Sequence, residues 1–112
     1  MATRSTLIPT VNQFIIGDDD KNLLAGLDGN DTIFGMGGND TINGGGGNDL
    51  IIGGNGNDSI DAGVGHDVIY GGNGNDVIYT NAYNGTMAHT LGDTIDGGTG
   101  NDYIVSSSGH DL

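Results

Sequence analysis

Along most of this chain a single apolar position returns every nine residues. Ile15, Leu24, Ile33, Ile42, Ile51, Ile60, Ile69 and Ile78 form one unbroken series, and Ile95 and Ile104 resume it after a break. Each has one residue on either side that ranges from Thr and Ser to Phe and Tyr. Six residues rich in Gly, Asn and Asp then separate one triplet from the next. An apolar centre between two outward neighbours is the alternation of a very short strand, and β-branched Ile suits a pleated, half-buried surface. The pattern predicts a strand at every return. Glycine this frequent excludes helix, since each costs about 1 kcal/mol relative to Ala in a helix interior.

The polar segments repeat as regularly as the apolar ones. Gly44 to Asp61 reads GGGGNDLII and then GGNGNDSID, so each copy is Gly-Gly-x-Gly-x-Asp followed by x-apolar-x. With these positions numbered 1 to 9, unbroken copies start at Gly26, Gly35, Gly44, Gly53, Ala62 and Gly71. Their position-6 residues are Asp31, Asp40, Asp49, Asp58, Asp67 and Asp76. Tight loops between strands need repeated left-handed backbone, which Gly adopts freely and Asn tolerates. Residues 1–7 lie outside the repeat and read as a lead-in, and 8–112 form one domain. Within it, 8–25 are degenerate capping coils, with Gln13 and Asn22 at position 6, as expected of terminal repeats. Residues 80–87 break the phase and read as an extruded loop turning at Asn84-Gly85. Repeats resume at Ala88, Gly97 and Ser106, bringing Asp93, Asp102 and Asp111 to position 6, and the last copy stops at Leu112, two residues short.

Composition adds charge to this picture. Of 112 residues, 24 are Gly and all 15 acidic residues are Asp, against Arg4 and Lys21, for a net charge of −13. Such a chain repels itself, does not approach nucleic acid or an anionic membrane unaided, and is suited to binding cations. There is no cysteine, hence no thiolate metal site. No apolar run approaches the roughly 18 residues of a membrane span, and residues 1–16 lack the layout of a signal peptide. No catalytic constellation is evident. Ser106 to Ser108 has no paired base, so the chain reads as a non-enzyme. His66 and His110 fall at position 5 and read as turn residues; Asp18, Asp19, Asp20, Asp28, Asp61 and Asp96 fall outside position 6 and read as solvated.

Over about residues 17–112 the repeat resembles the RTX (repeat-in-toxin) calcium-binding β-roll family. The resemblance implies an all-β, right-handed parallel β-roll (a β-solenoid) with two nonapeptides per turn. It also implies several Ca²⁺ ions between stacked loops, each held by position-6 carboxylates of loops n and n+2 and by turn carbonyls. Carried over, one edge holds Asp40, Asp58, Asp76 and Asp102, and the other Asp31, Asp49, Asp67, Asp93 and Asp111. The turn glycines Gly45, Gly47, Gly54, Gly56, Gly72 and Gly74 would supply carbonyls. This placement of Asp93, Asp102 and Asp111 requires the 80–87 loop to leave the side unchanged. About five and a half turns are expected, roughly 26 Å of stack at 4.8 Å per turn.

Elementary chemistry points the same way. Carboxylates stacked at strand spacing repel one another without a cation. Ca²⁺ accepts six to eight hard oxygens at about 2.4 Å, Mg²⁺ demands a tighter octahedron, and transition metals prefer His or Cys. The expectation is a chain largely unfolded without calcium and folded by it, as in secreted bacterial RTX proteins. Alternate repeats place their outward residues on opposite sheets. One sheet then carries Phe14, Ile16, Phe34, Leu50, Ile52 and Tyr70, and the Phe34/Ile52/Tyr70 face and the open coil ends are candidates for self-association. Two further functions are therefore kept open. One is a structural subunit of a calcium-dependent extracellular fibre, surface layer or matrix. The other is a C-terminal module of a larger secreted enzyme.

Overall fold

The computed structural model describes residues 11–80 and 93–106. Ten strands follow one another: β1 (Phe14–Ile16), β2 (Leu23–Ala25), β3 (Thr32–Phe34), β4 (Thr41–Asn43), β5 (Leu50–Asn55), β6 (Ser59–Asp61), β7 (Val68–Asn73), β8 (Val77–Thr80), β9 (Thr94–Thr99) and β10 (Tyr103–Ser106). Odd strands stack in the order β1-β3-β5-β7-β9 and even strands in the order β10-β8-β6-β4-β2. All pairs are parallel and in register, so Ile33 pairs with Ile51 and Ile51 with Ile69, while Ile42 pairs with Ile60 and Ile60 with Ile78. The chain is an all-β parallel solenoid of the β-roll type with two nonapeptides to a turn, and from β1 to β9 the stack climbs about four turns. The expectation of five and a half turns counted eleven strands; the described residues hold ten, and residues 107–112 lie outside them.

The core is the position-8 column. Ile15, Leu24, Ile33, Ile42, Ile51, Ile60, Ile69 and Ile78 are buried and Ala62 joins them. At the end of the described stack Ile95 is partly buried and Ile104 exposed. The phase break leaves the side unchanged, since β9 pairs with β7 and β10 with β8 across it. The outward residues behave as alternation requires. Phe14, Ile16 and Tyr70 are exposed, and Phe34 and Ile52 half-buried. Phe14 meets Phe34 edge-on, with ring centroids 5.5 Å apart, a cross-strand contact within the sheet.

Two features depart from the three-residue strands expected. β5, β7 and β9 run on for six residues, through Gly54↔Gly72↔Gly98 and Asn55↔Asn73↔Thr99. Their position-3 side chains make a ladder of their own: Asn73 Nδ2 donates to Asn55 Oδ1 at 2.8 Å, and Thr99 Oγ1 to Asn73 Oδ1 at 2.7 Å. Among the described residues of the opposite edge position 3 is Asp28, Gly46 or Val64, which cannot form that ladder, and there the loops meet in isolated bridges.

The second departure is at position 2. Leu27 (φ 73°) and Met36 (φ 81°) hold left-handed backbone that glycine holds elsewhere. An L-residue there costs about 1–2 kcal/mol, part of which returns through its smaller unfolded-state freedom. Leu27→Gly and Met36→Gly should each therefore stabilise the fold, by about 0.5–1 kcal/mol. Thermal unfolding in saturating calcium checks this, and a lowered midpoint for both variants would refute it.

Candidate metal centre

Position 6 ends each loop and leads into a strand, so the parallel register stacks these aspartates in two columns, one at each edge of the roll. Asp31, Asp40, Asp49, Asp58, Asp67, Asp76 and Asp93 are all buried, and Asp102 is half-buried. Each column is tied by one repeated bond. Asp31 N–H donates to Asp49 Oδ1 (2.8 Å), Asp49 N–H to Asp67 Oδ1 (2.9 Å) and Asp67 N–H to Asp93 Oδ1 (2.9 Å). On the other edge Asp40 donates to Asp58 (2.9 Å), Asp58 to Asp76 (2.8 Å) and Asp76 to Asp102 (2.9 Å). The two columns expected from the sequence are thus the two columns observed, apart from Asp111, which lies outside the described residues.

One oxygen of each carboxylate is used in this way. The other, Oδ2 of Asp31, Asp40, Asp49, Asp58, Asp67 and Asp76, is buried without a hydrogen-bond partner. For Asp31, Asp40, Asp49, Asp58 and Asp76 it faces a backbone carbonyl. A Cβ built on Gly35 would lie 2.5 Å from both Asp40 Oδ2 and the Gly53 carbonyl oxygen; on Gly53, 2.5 Å from Asp58 Oδ2 and 2.7 Å from Gly71 oxygen. On Gly71 it would lie 2.5 Å from Asp76 Oδ2 and 2.6 Å from Gly97 oxygen, and on Gly44, 2.6 Å from Asp49 Oδ2 and 2.5 Å from Ala62 oxygen. Gly26 repeats the arrangement with Asp31 Oδ2 and Gly44 oxygen. In loop after loop, then, a carboxylate oxygen and the position-1 carbonyl of the coil above converge on one small space. Two acceptors facing each other in a buried space, with no donor between them, is an arrangement that a cation resolves.

The electrostatics agree. Burial pushes the carboxyl of Asp49 up to about 6, that of Asp58 to about 7 and that of Asp67 to about 8. For Asp67 the charges of Asp49, Asp93 and Asp61 act in the same direction, against the opposing pull of its bond from the Asp49 N–H. Burial likewise raises Asp31, Asp40 and Asp76. The donor set is all hard oxygen, from carboxylate and carbonyl, which suits Ca²⁺. Among the described residues no three His, Cys, Asp or Glu side chains converge on one point. Any ion here would draw on paired carboxylates and on the backbone.

The glycines hold the loops open. Gly47 (φ 111°) and Gly56 (φ 115°) are left-handed, and a Cβ on either would strike the position-4 carbonyl below, Gly29 or Gly38 oxygen, far inside 3.0 Å. Among the turn glycines read as carbonyl donors, Gly45 oxygen already accepts a bond from Val64 N–H at 2.9 Å. The position-1 carbonyls that face Oδ2 were not singled out by the sequence. Their signal was present, in that position 1 is Gly or Ala throughout the six unbroken copies, but it reads equally as a packing requirement.

A second ladder was also missed. The position-5 asparagines reach up the stack: Asn30 Oδ1 accepts Asn48 N–H, Asn48 Oδ1 accepts His66 N–H, and Asn57 Oδ1 accepts Asn75 N–H. His66 is exposed, and its backbone N–H donates to Asn48 Oδ1, as a turn residue does. Asp18, Asp19, Asp20, Asp28, Asp61 and Asp96 are exposed, as expected. Asn22 is buried; its N–H donates to Asp40 Oδ1 in the coil above at 2.8 Å, but its side chain is bound within its own loop. Its Oδ1 accepts Asp18 N–H at 2.7 Å and its Nδ2 donates to Asp18 Oδ1 at 3.0 Å.

The chain matches the family description RTX calcium-binding nonapeptide repeat in four copies, over residues 16–51, 44–78, 52–86 and 92–112. No curated protein and no solved structure gives a significant match. The matched segments span most of the chain and contain both columns of buried carboxylates, and by these marks the chain belongs to the RTX calcium-binding nonapeptide-repeat family.

Proposed function

We propose that this chain is a calcium-binding module that folds on taking up several Ca²⁺ ions outside the cell. The supporting observation is the repeated, buried and partnerless Asp Oδ2 facing a carbonyl oxygen. Three carboxylate pairs on each edge would hold the ions: Asp31/Asp49, Asp49/Asp67 and Asp67/Asp93, and Asp40/Asp58, Asp58/Asp76 and Asp76/Asp102. Asp111 would extend the first series. Turn carbonyls, those of position 1 and of Gly45, Gly47, Gly54, Gly56, Gly72 and Gly74, complete the oxygen set. The bound ion supplies positive charge between stacked carboxylates. The chain supplies the rest: strands that hold the loops in register, glycines that let the carbonyls approach, and a surface too acidic to collapse without the ion. The role is structural and not catalytic.

The location follows from the same chemistry. Calcium is scarce inside cells and plentiful outside, so a fold that needs it forms after export, in keeping with a family found typically in secreted bacterial proteins. A calcium titration followed by circular dichroism and sedimentation tests the proposal. Strand signal should rise cooperatively with calcium and not with magnesium, with a compact monomer as the product. A strand signal unchanged in excess chelator at neutral pH would overturn it. Dimers or long polymers on calcium addition would favour the fibre or matrix subunit, for which the exposed Phe14, Ile16 and Tyr70 of the odd-strand sheet provide a surface.

A further inference from the structure

Gln13 stands at position 6 of the first coil, where the coils above carry Asp. Its backbone is bonded as theirs is, with Gln13 N–H donating to Asp31 Oδ1 at 2.7 Å. Its side chain, 8 % exposed, does something theirs cannot: Nε2 donates to the carbonyl oxygen of Gly26 at 2.5 Å. Gly26 occupies position 1 of the coil above. Its carbonyl is the counterpart of Gly44, Gly53, Gly71 and Gly97, whose oxygens face a bare carboxylate oxygen. At the next two steps on this edge, Asp31 with Gly44 and Asp49 with Ala62, two acceptors meet with no hydrogen bond between them. At the first step on this edge an amide hydrogen is already there.

We propose that Gln13 closes the calcium column at its N-terminal end by placing its own amide N–H where the coils above hold a cation. This rests on the calcium reading above. Side-chain length carries the argument. Gln is one methylene longer than Asp, so its head group reaches the carbonyl that Asp reaches only through an ion. The other edge gives the contrast. The side chain of Asn22, with the reach of Asp, closes on Asp18 in its own loop, and only the Asn22 N–H bonds to the coil above. The Gln13/Asp31 step therefore takes no calcium, and the metal-binding series on this edge starts at Asp31/Asp49. The first rung of the stack is held by two hydrogen bonds, from Nε2 to Gly26 oxygen and from Gln13 N–H to Asp31 Oδ1, neither of which contains a metal ion.

The test uses the whole chain with Ca²⁺ as the probe, counting bound ions by titration calorimetry and measuring thermal midpoints across calcium concentrations. Gln13→Asp restores a carboxylate facing Gly26 oxygen and should bind one ion more than the parent. Its midpoint should also rise more steeply with calcium, because each extra ion bound only by the folded state adds to that slope. Gln13→Met keeps the length but loses the donor. It should bind the parental number of ions and melt about 4–8 °C lower at saturating calcium, the shift expected for losing one buried hydrogen bond in a domain of this size. An unchanged ion count in Gln13→Asp, or an unchanged melting temperature in Gln13→Met, would overturn the role of Gln13 and leave the calcium reading standing. A parent chain that takes up no calcium would remove both.

Discussion

Replacing Gly47 by alanine should prevent this chain from folding at moderate calcium, while the same replacement at its neighbour Gly46 should be nearly silent. Both lie in one run of four glycines. Gly47 has φ 111°, and its Cβ would strike the Gly29 carbonyl oxygen well inside contact distance, with Asn30 Oδ1 at 3.0 Å. Neither neighbour can yield, because Gly29 is bonded into the stack by its N–H to Gly46 oxygen (3.1 Å) and Asn30 Oδ1 accepts Asn48 N–H (2.8 Å). Left-handed backbone costs an L-residue about 1–2 kcal/mol and forced overpacking about 1–3 kcal/mol more. A loss on the order of 3 kcal/mol is therefore expected, a large share of a small domain's stability.

Gly46 differs on both counts. Its φ is not in the left-handed region, and a Cβ there would meet only Asp28 Oδ1 at 3.1 Å and Val64 Cγ2 at 3.5 Å, both side-chain atoms. Val64 and Asp28 occupy the equivalent position in the coils on either side. Thermal midpoints of the two variants in saturating calcium decide the matter. Equal losses would mean that the loops adjust, and that the close approach of successive carbonyls is not what the glycines serve.

Protons should substitute for calcium. The carboxyls of Asp49, Asp58 and Asp67 are raised in the folded chain to about 6, 7 and 8, chiefly by burial, from an ordinary value of 3.8. A group whose value is raised by folding binds more protons folded than unfolded. Its contribution to the metal-free fold is then full below about 4 and is lost as pH rises through its folded value. In excess chelator, strand circular dichroism should be present near pH 5 and disappear between about 6 and 8. With saturating calcium the signal should persist to pH 8, and calcium affinity should rise with pH, because ion and proton compete for the same oxygens. A metal-free signal that grows as pH rises would contradict this directly, and would mean that the buried Oδ2 atoms are not what opposes folding.

Much of this was legible in the sequence, because the repeat is one strand and one loop written over and over. The Ile column prescribed which residue faces inward, and a nine-residue period with no helix left only a stack of short parallel strands. The two columns of aspartate followed from counting by eighteen, and by twenty-six across the phase break, where Asp67 N–H donates to Asp93 and Asp76 N–H to Asp102. What periodicity cannot convey is which atom of a side chain is already occupied. Only the three-dimensional stack shows that Asp Oδ1 is taken by the N–H of the coil below while Oδ2 faces a position-1 carbonyl. Only there does Gln13, in sequence merely a degenerate residue, become a donor aimed at Gly26. The lengthened β5, β7 and β9 and the left-handed Leu27 and Met36 likewise belong to contacts between coils. A repeat specifies what each coil is, through local propensity and alternation; what one coil does to the next depends on distances of a few ångströms between residues eighteen apart, and these exist only once the chain has wound upon itself.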